Sequence, residues 1–430
     1  MKRILSAFFV LSATGWSAQP EHWIATWGTA QQLYRASAGR GPQAAPPPPP
    51  AATAAPAPRP TGPARRFPVP PALAGLHDQT VRMVARVSTG GKTVRIRLSS
   101  ALGGPTVAIG AAHIALPKGE SKIDAATDHA LTFSGQPTAT LYAGATLVTD
   151  PVSMDLKPLS DVAVSLYLPG DTAAPTSHLF GLHTTSISKQ GDFTGKSEIP
   201  DAETRESYYW LAGIDVLAPP NAGTLVTFGD SITDGDQSTH GTNGSWPSLL
   251  AARLQANKAT AGVSVVNAGI SGNRVLGDNG SALARFEHDV LSQPGIRWIT
   301  LLEGINDITG GSRNGAKTIT AEALIAAYRQ IINAAHERGI QVFGCTLTPY
   351  GGSNVYNDYG ESVRTAVNDW IRKPGSFDGV IDFDKATRDA QDPRRFRPEA
   401  DSPDFLHPAN PGYKLMADAV NLTLFTGKKR

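Results

Sequence analysis

The sequence predicts an α/β protein in two parts: an antiparallel, sandwich-like β domain over residues 19–215, then a three-layer α/β domain with a parallel sheet over 216–430. Three observations carry this expectation. A chain of 430 residues favours more than one domain. Up to about residue 215, short strand-like runs are separated by Gly, Pro and Asp, the spacing of antiparallel all-β structure. Beyond it, apolar strand-like runs alternate with helix-length amphipathic segments, the pattern of a sheet covered on both faces.

The chain opens with a targeting signature. Lys2 and Arg3 precede the apolar run 4–11, and small residues (Ser12, Ala13, Gly15, Ser17, Ala18) follow it. A charged start, a short apolar core and a small-residue stretch make residues 1–18 a secretory signal peptide, too short to span a bilayer. A secreted or periplasmic location is therefore expected. Residues 23–30 (WIATWGTA) read as a first strand. Segment 41–71 is dominated by Pro and Ala, with five consecutive prolines at 46–50, and reads as an extended loop inside the β domain. Residues 80–88 and 93–99 alternate apolar side chains with arginines, and TGGK (89–92) between them reads as a hairpin turn. GKT (91–93) lacks the first glycine and the following helix of a phosphate loop. Further strands are expected at 131–133, 138–142, 162–168 and 178–187.

In the second part the strand–helix pairs are 224–228 with 246–256, 263–267 with 282–291, 298–302 with 321–338, 340–346 with 361–371, and 380–383 with 412–424. Right-handed crossovers place every strand-to-helix loop on one edge of such a sheet, where sites form.

Composition excludes several classes. Thirty-nine Lys and Arg against 37 Asp and Glu leave a net charge of +2, so no single-sign field points to nucleic acid or an anionic membrane. No later stretch reaches the ~20 apolar residues of a membrane span, and no stable membrane association is expected. Cys345 is the only cysteine, so no internal disulfide can form. It sits in the apolar run 340–347 and reads as a small buried hydrophobe rather than a nucleophile. Without an H-E-x-x-H or a Cys/His cluster, neither metal nor cofactor is expected. Asp230, Asp234, Glu303 and Asp307 lie near the strand ends, but spacing alone pairs none of them as glycoside hydrolysis requires.

The chemistry-bearing residues follow the strands. GDSITDG (229–235) follows the first, GISGNR (269–274) the second and GIND (304–307) the third, while DFLHP (404–408) precedes the last helix. A serine hydroxyl is a poor nucleophile until a base takes its proton, and the base needs an orienting partner. Asp404 and His407, three residues apart, can set a carboxylate against one imidazole nitrogen and turn the other toward Ser231. The backbone N–H groups of Ser231 and Gly272 and the amide of Asn306 can converge on an oxyanion. Singly each motif has a bland reading, as a turn or a helix cap.

As a set, FGDSITDG (228–235), NAGISGNRVL (267–276), LEGINDI (302–308) and DFLHPANPGY (404–413) resemble the four blocks of the SGNH/GDSL hydrolases. The resemblance implies a flavodoxin-like three-layer fold and ester hydrolysis without a cofactor. It implies Ser231 as nucleophile, His407 and Asp404 as base and acid, and Ser231, Gly272 and Asn306 as oxyanion donors. WIATWGTA, the arginine-studded hairpin, GISGNRVL and LEGINDI are also similar to bacterial secreted arylesterase or acylhydrolase members, including xylanolytic esterase-like ones.

The expected substrate is a small-molecule or polysaccharide ester with a short acyl group, borne by a carbohydrate or aryl alcohol. The loops 274–276 (RVL) and 350–352 (YGG) are not continuously apolar, which weighs against a lipase or phospholipid acyl hydrolase. A non-catalytic carbohydrate-binding protein is the alternative of another class; a relict hydrolase should have lost Ser231, Asn306 or His407, and all are present. Arg274 and Arg285 are candidates for contacting a substrate carboxylate or hydroxyl, or for structural ion pairs. His240 and His288 read as bystanders, and His178 and His183, in the strand-rich part, are not expected to be bases.

Overall fold

The computed structural model describes residues 21–33, 73–100, 104–278 and 280–426. Residues 1–18, expected to be a signal peptide, and the Pro-rich stretch 41–71 lie outside the described residues.

The first part is built on two antiparallel sheets. One orders His22–Gly28, Leu211–Ala218, Gly91–Ser99 and Val152–Leu156, with Thr146–Val148 also on Gly91–Ser99. The other orders Glu203–Arg205, Thr185–Gln190, Gln79–Arg86, Asp161–Leu168, Ala111–Ala115 and His129–Ala130. Apolar side chains from both, such as Val81, Met83, Val94, Ile96, Val164 and Ile214, pack into one core, the arrangement of a sandwich. His22–Gly28 pairs with Leu211–Ala218, so the chain enters this sandwich ahead of segment 41–71.

Several expectations change here. Residues 80–88 and 93–99 do not form a hairpin. Gln79–Arg86 pairs with Asp161–Leu168 and Thr185–Gln190, whereas Gly91–Ser99 pairs with Leu211–Ala218 and Val152–Leu156. The TGGK turn instead carries the chain between sheets, pinned to the first strand by Ser88 N–H to Thr26 O (2.8 Å) and Thr26 Oγ1 to Thr89 O (2.6 Å). Period-two alternation names a strand's faces but not its neighbours. The arginines point inward as well. Fully buried Arg82 donates to Ser165 Oγ and to the carbonyls of Ser121, Phe193, Thr194 and Lys196. Arg95 and Arg97 share the buried carboxylate of Asp215, each at 3.0 Å. Near 131–133 the strand is His129–Ala130, with Phe133 in an isolated bridge to Gln136. Segment 178–187 is split: Thr176–His178 joins a small sheet with Gln32–Leu33 and Tyr208–Tyr209, and Thr185–Gln190 joins the six-stranded one. The boundary at 215 falls inside strand Leu211–Ala218; the chain leaves the sandwich only at the turn closed by Ala222 N–H to Pro219 O.

The second part is a five-stranded parallel sheet ordered Val263–Gly269, Gly223–Gly229, Ile296–Leu302, Gln341–Cys345, Gly379–Ile381. This is the flavodoxin-like order, with the first strand in sequence lying second in space. Helices Trp246–Ala256, Ala321–His336, Asp358–Arg372 and Asn410–Ala419 cover it, and Ala282–Phe286 continues as one π turn, Glu287–Leu291. Phe383, expected in the last strand, opens the short helix Phe383–Thr387 because Asp382 caps it, accepting from Lys385 N–H.

The two parts are joined by polar contacts and shared burial. Ala25 N–H donates to Pro294 O (3.0 Å), Val265 N–H to Ser88 Oγ (2.9 Å) and Arg97 to Gln293 (2.7 Å), while Ala25 and Ala30 belong to the core of the second part. Among the described residues no helix is long and apolar enough to cross a membrane.

Candidate active site

The chain turns outward from the sheet at Gly229, where a side chain has no room: a Cβ would stand 2.4 Å from Leu302 O and 2.2 Å from Thr233 Oγ1. Asp230 then caps the short helix Ser231–Asp234, accepting from Ile232 N–H (3.0 Å). Ser231 is its first residue, so its N–H is one of the donors that a helix start leaves free. At the end of the next strand, Ile270 N–H returns to Gly229 O (3.0 Å), tying the two loops together. Gly272 adopts φ +77°, which favours glycine, and open space lies where a Cβ would be. From the third strand end, Asn306 donates its amide to Asn273 O at 2.9 Å. Asn273 is itself held by Arg285 (2.9 Å), whose other donors engage Gly229 O, Ala268 O and Asp289. Arg285 is thus a buried strut beneath the loops and not a substrate contact. Arg274 is exposed, its guanidinium over Gly310, and its charge favours the ionised form of Asp307.

The fourth segment closes over the first. His407 Nε2 lies 2.8 Å from Ser231 Oγ, and His407 Nδ1 lies 2.7 Å from Asp404 Oδ2. Phe405 at φ +57° bends the turn so that Asp404 and His407 face each other. Asp404 Oδ1 meanwhile accepts from Ser402 Oγ (2.8 Å) and from the N–H groups of Leu406 and His407 (2.9 Å each). With a carboxylate against Nδ1, the ring proton sits there and Nε2 presents its lone pair to the hydroxyl. Ser231, Asp404 and His407 therefore stand in one hydrogen-bonded row, with Gly272 and Asn306 on the adjoining loops.

Electrostatics reinforce the row. Burial would raise the Asp404 carboxyl, but the His407 hydrogen bond and charge, with the two backbone donors, hold it well below its ordinary range. Burial alone would lower His407; the Asp404 bond and the charges of Asp236, Asp404 and Asp230 prevail and raise it. Asp236 approaches His407 Nε2 to 3.8 Å, and burial raises its own carboxyl. Deeper, burial also raises Asp230 and Glu303; the Asp307 charge further opposes ionisation of Asp230, and the Asp230 charge that of Glu303. Among the described residues Glu303 has no hydrogen-bond partner for either side-chain oxygen, with Arg285 3.5 Å away.

Among other sequence candidates, Asp307 is structural, accepting from Val275 and Leu276 N–H (2.8 and 2.9 Å). His288 is taken up by Asp289 (2.7 Å), His240 lies 3.2 Å from Glu206, and His183 lies 2.9 Å from Asn243. His178 has a partner in the second part of the chain. Its Nε2 reaches Asp234 at 3.0 Å across the junction of the two parts. Sequence reasoning missed Asp236 and His178: no motif spacing sets Asp236 beside His407, and His178 meets a carboxylate 56 positions away. Cys345 is buried, which raises its thiol pKa.

A flavodoxin-like sheet carrying a Ser–His–Asp row at its switch point defines the class of three-layer serine hydrolases. Residues 227–415 match the sequence model of the GDSL-like Lipase/Acylhydrolase family, and the protein is by class a serine ester hydrolase. No curated protein matches the chain. Among solved structures, a catalytic mutant of an acetylxylan esterase from Geobacillus stearothermophilus is similar at 22% identity, covering 48% of this chain and 95% of that one, with TM-score 0.37. An alpha/beta hydrolase from the metagenome of Lake Arreo, Spain, is similar at 20% identity over 48% and 98%, TM-score 0.37. A GDSL-like lipase from Bacteroides thetaiotaomicron is similar at 18% identity over 47% and 87%, TM-score 0.34.

Proposed function

We propose that this protein is an exported esterase that removes short acyl groups from carbohydrate or aryl alcohols, with Ser231 as nucleophile, His407 as general base and Asp404 as its orienting acid. The carrying observation is the unbroken row Asp404–His407–Ser231 at 2.7 and 2.8 Å. Ser231 Oγ attacks the ester carbonyl carbon while His407 Nε2 takes its proton. The tetrahedral oxyanion faces the N–H groups of Ser231 and Gly272 and the Asn306 amide. His407 then returns the proton to the departing alkoxide, and a water repeats the sequence on the acyl-enzyme.

Short acyl groups and a polar leaving group are supported by the polar groups on the strand-end loops: Asp236 lies 3.8 Å from His407 Nε2, Asn306 is held on Asn273 O, and Gly272 faces open space. The large hydrophobics left exposed among the described residues are Tyr142, Val148, Leu283 and Val380, scattered rather than joined into the apolar patch a lipid surface requires. Export rests on residues 1–18 and is checked by sequencing the mature amino terminus from culture medium or periplasm. Hydrolysis of p-nitrophenyl acetate should fall by at least ~10⁴-fold in Ser231→Ala with the melting temperature kept. Unchanged turnover would end this mechanism. Acetate release from acetylated xylan, beside chain lengths up to a long-chain aryl ester, decides the substrate class.

A further inference from the structure

We infer that the sandwich sets the oxyanion turn of the hydrolase domain, through His178 acting as a positioning residue; this rests on the esterase reading above. The side chains of His178 and Asp234 are buried, at 5% and 3% exposure. His178 Nδ1 lies 2.7 Å from Ala30 O, and its Nε2 lies 3.0 Å from Asp234 Oδ1. A backbone carbonyl and a carboxylate both accept, so the ring donates from both nitrogens and bridges the two parts of the chain. Burial would lower the His178 pKa, but the Asp234 charge and bond, with the carbonyls of Ala30 and Phe180, raise it, in keeping with a doubly protonated ring.

The other oxygen of Asp234 faces the active site. Asp234 Oδ2 accepts from Ser271 N–H at 3.1 Å, one residue before Gly272. Asp234 is the last residue of the nucleophile helix, so one carboxylate spans the nucleophile segment and the oxyanion turn. Its backbone is clamped as well: Asn267 Nδ2 donates to Thr233 O (2.9 Å) and Asp234 O (3.3 Å), and Thr29 of the sandwich bridges Asn267. Main-chain bonds thus fix where Asp234 sits, and His178 fixes how its carboxylate is turned. Without the imidazole, Oδ1 is a buried acceptor with no partner, which a rotation of the carboxylate relieves at the expense of Ser271. The Gly272 N–H then moves off the position that the oxyanion occupies.

A pair that only glued the domains together would change stability and leave the ratio of turnover to binding alone. The test is His178→Ala in the full chain, with p-nitrophenyl acetate kinetics, a melting curve and inhibition by an aryl trifluoromethyl ketone, which mimics the oxyanion. The expected result is a kcat loss of about 10- to 100-fold, the scale of a displacement near 1 Å, with KM within about threefold. Ketone affinity should fall by the same factor as kcat. A cleft between the two parts reaches both His178 and Asp234, so added imidazole should restore part of kcat in His178→Gly. Where His178 variants do not fold, Asp234→Leu should give the same loss of kcat at unchanged KM. Wild-type kcat in His178→Ala or Asp234→Leu overturns the positioning role. So does a loss confined to stability, or one that falls on KM. Turnover retained in Ser231→Ala would instead overturn the esterase reading itself, so the two failures are distinguishable.

Discussion

Replacing Asp404 with Asn tests whether the row works as a proton path or merely as a packing contact. The perturbation is nearly isosteric, and the structure dictates how the amide sits. At Oδ1, Asp404 accepts from two fixed backbone N–H groups, of Leu406 and His407, and from Ser402 Oγ. An NH₂ there would face N–H donors, so the amide oxygen must occupy that site and the NH₂ must face His407 Nδ1, 2.7 Å away in the native row. Nδ1 then has to accept, and the ring proton moves to Nε2, where Ser231 needs a lone pair. The wrong tautomer in an otherwise intact triad lowers kcat by about 10⁴-fold. At 1.36 kcal/mol per decade, that is about 5.4 kcal/mol of barrier. The assay is kcat and kcat/KM for p-nitrophenyl acetate from pH 5 to 9, beside a melting curve. Because the N–H contacts survive, folding should be retained. A variant within tenfold of wild type at its optimum would refute the tautomer reasoning and with it Asp404 as the orienting acid.

Asp236→Asn should move the pH profile. His407 works only when neutral, so kcat/KM rises through its folded pKa, which lies above the ordinary imidazole value partly because of the Asp236 charge 3.8 Å away. Removing that charge should shift the rising limb to lower pH; a limb that stays put or moves up contradicts it. Arg82→Ala should destabilise the sandwich by at least about 3 kcal/mol in urea titrations, since it strands the carbonyls of Ser121, Phe193, Thr194 and Lys196. A change below about 1 kcal/mol would show that water replaces the guanidinium.

How much could be read in advance depends on how local each feature is. Helix Trp246–Ala256 and the parallel strands lie where the apolar periodicity places them, because burial on both faces of a strand and one face of a helix is written along the chain. Asp404 and His407 could be paired because three residues within one turn bring their side chains together. Strand partners in the sandwich could not: Gln79–Arg86 and Gly91–Ser99 follow each other yet lie in different sheets. For Arg285 the choice between substrate contact and structural ion pair stayed open because its acceptors, Gly229 O and Ala268 O, are backbone atoms that composition does not reveal.

By itself, the sequence determined the identity of the groups at the strand ends and the parallel character of the sheet beneath them, since residue type and periodicity are carried by neighbouring positions. Only the tertiary structure decided which further carboxylates, distant in sequence, surround each imidazole. Asp236 beside His407, and His178 reaching Asp234 from the other part of the chain, come from packing of segments far apart in sequence. Desolvation and hydrogen bonding, which set the protonation of each, exist only once those segments are buried against one another.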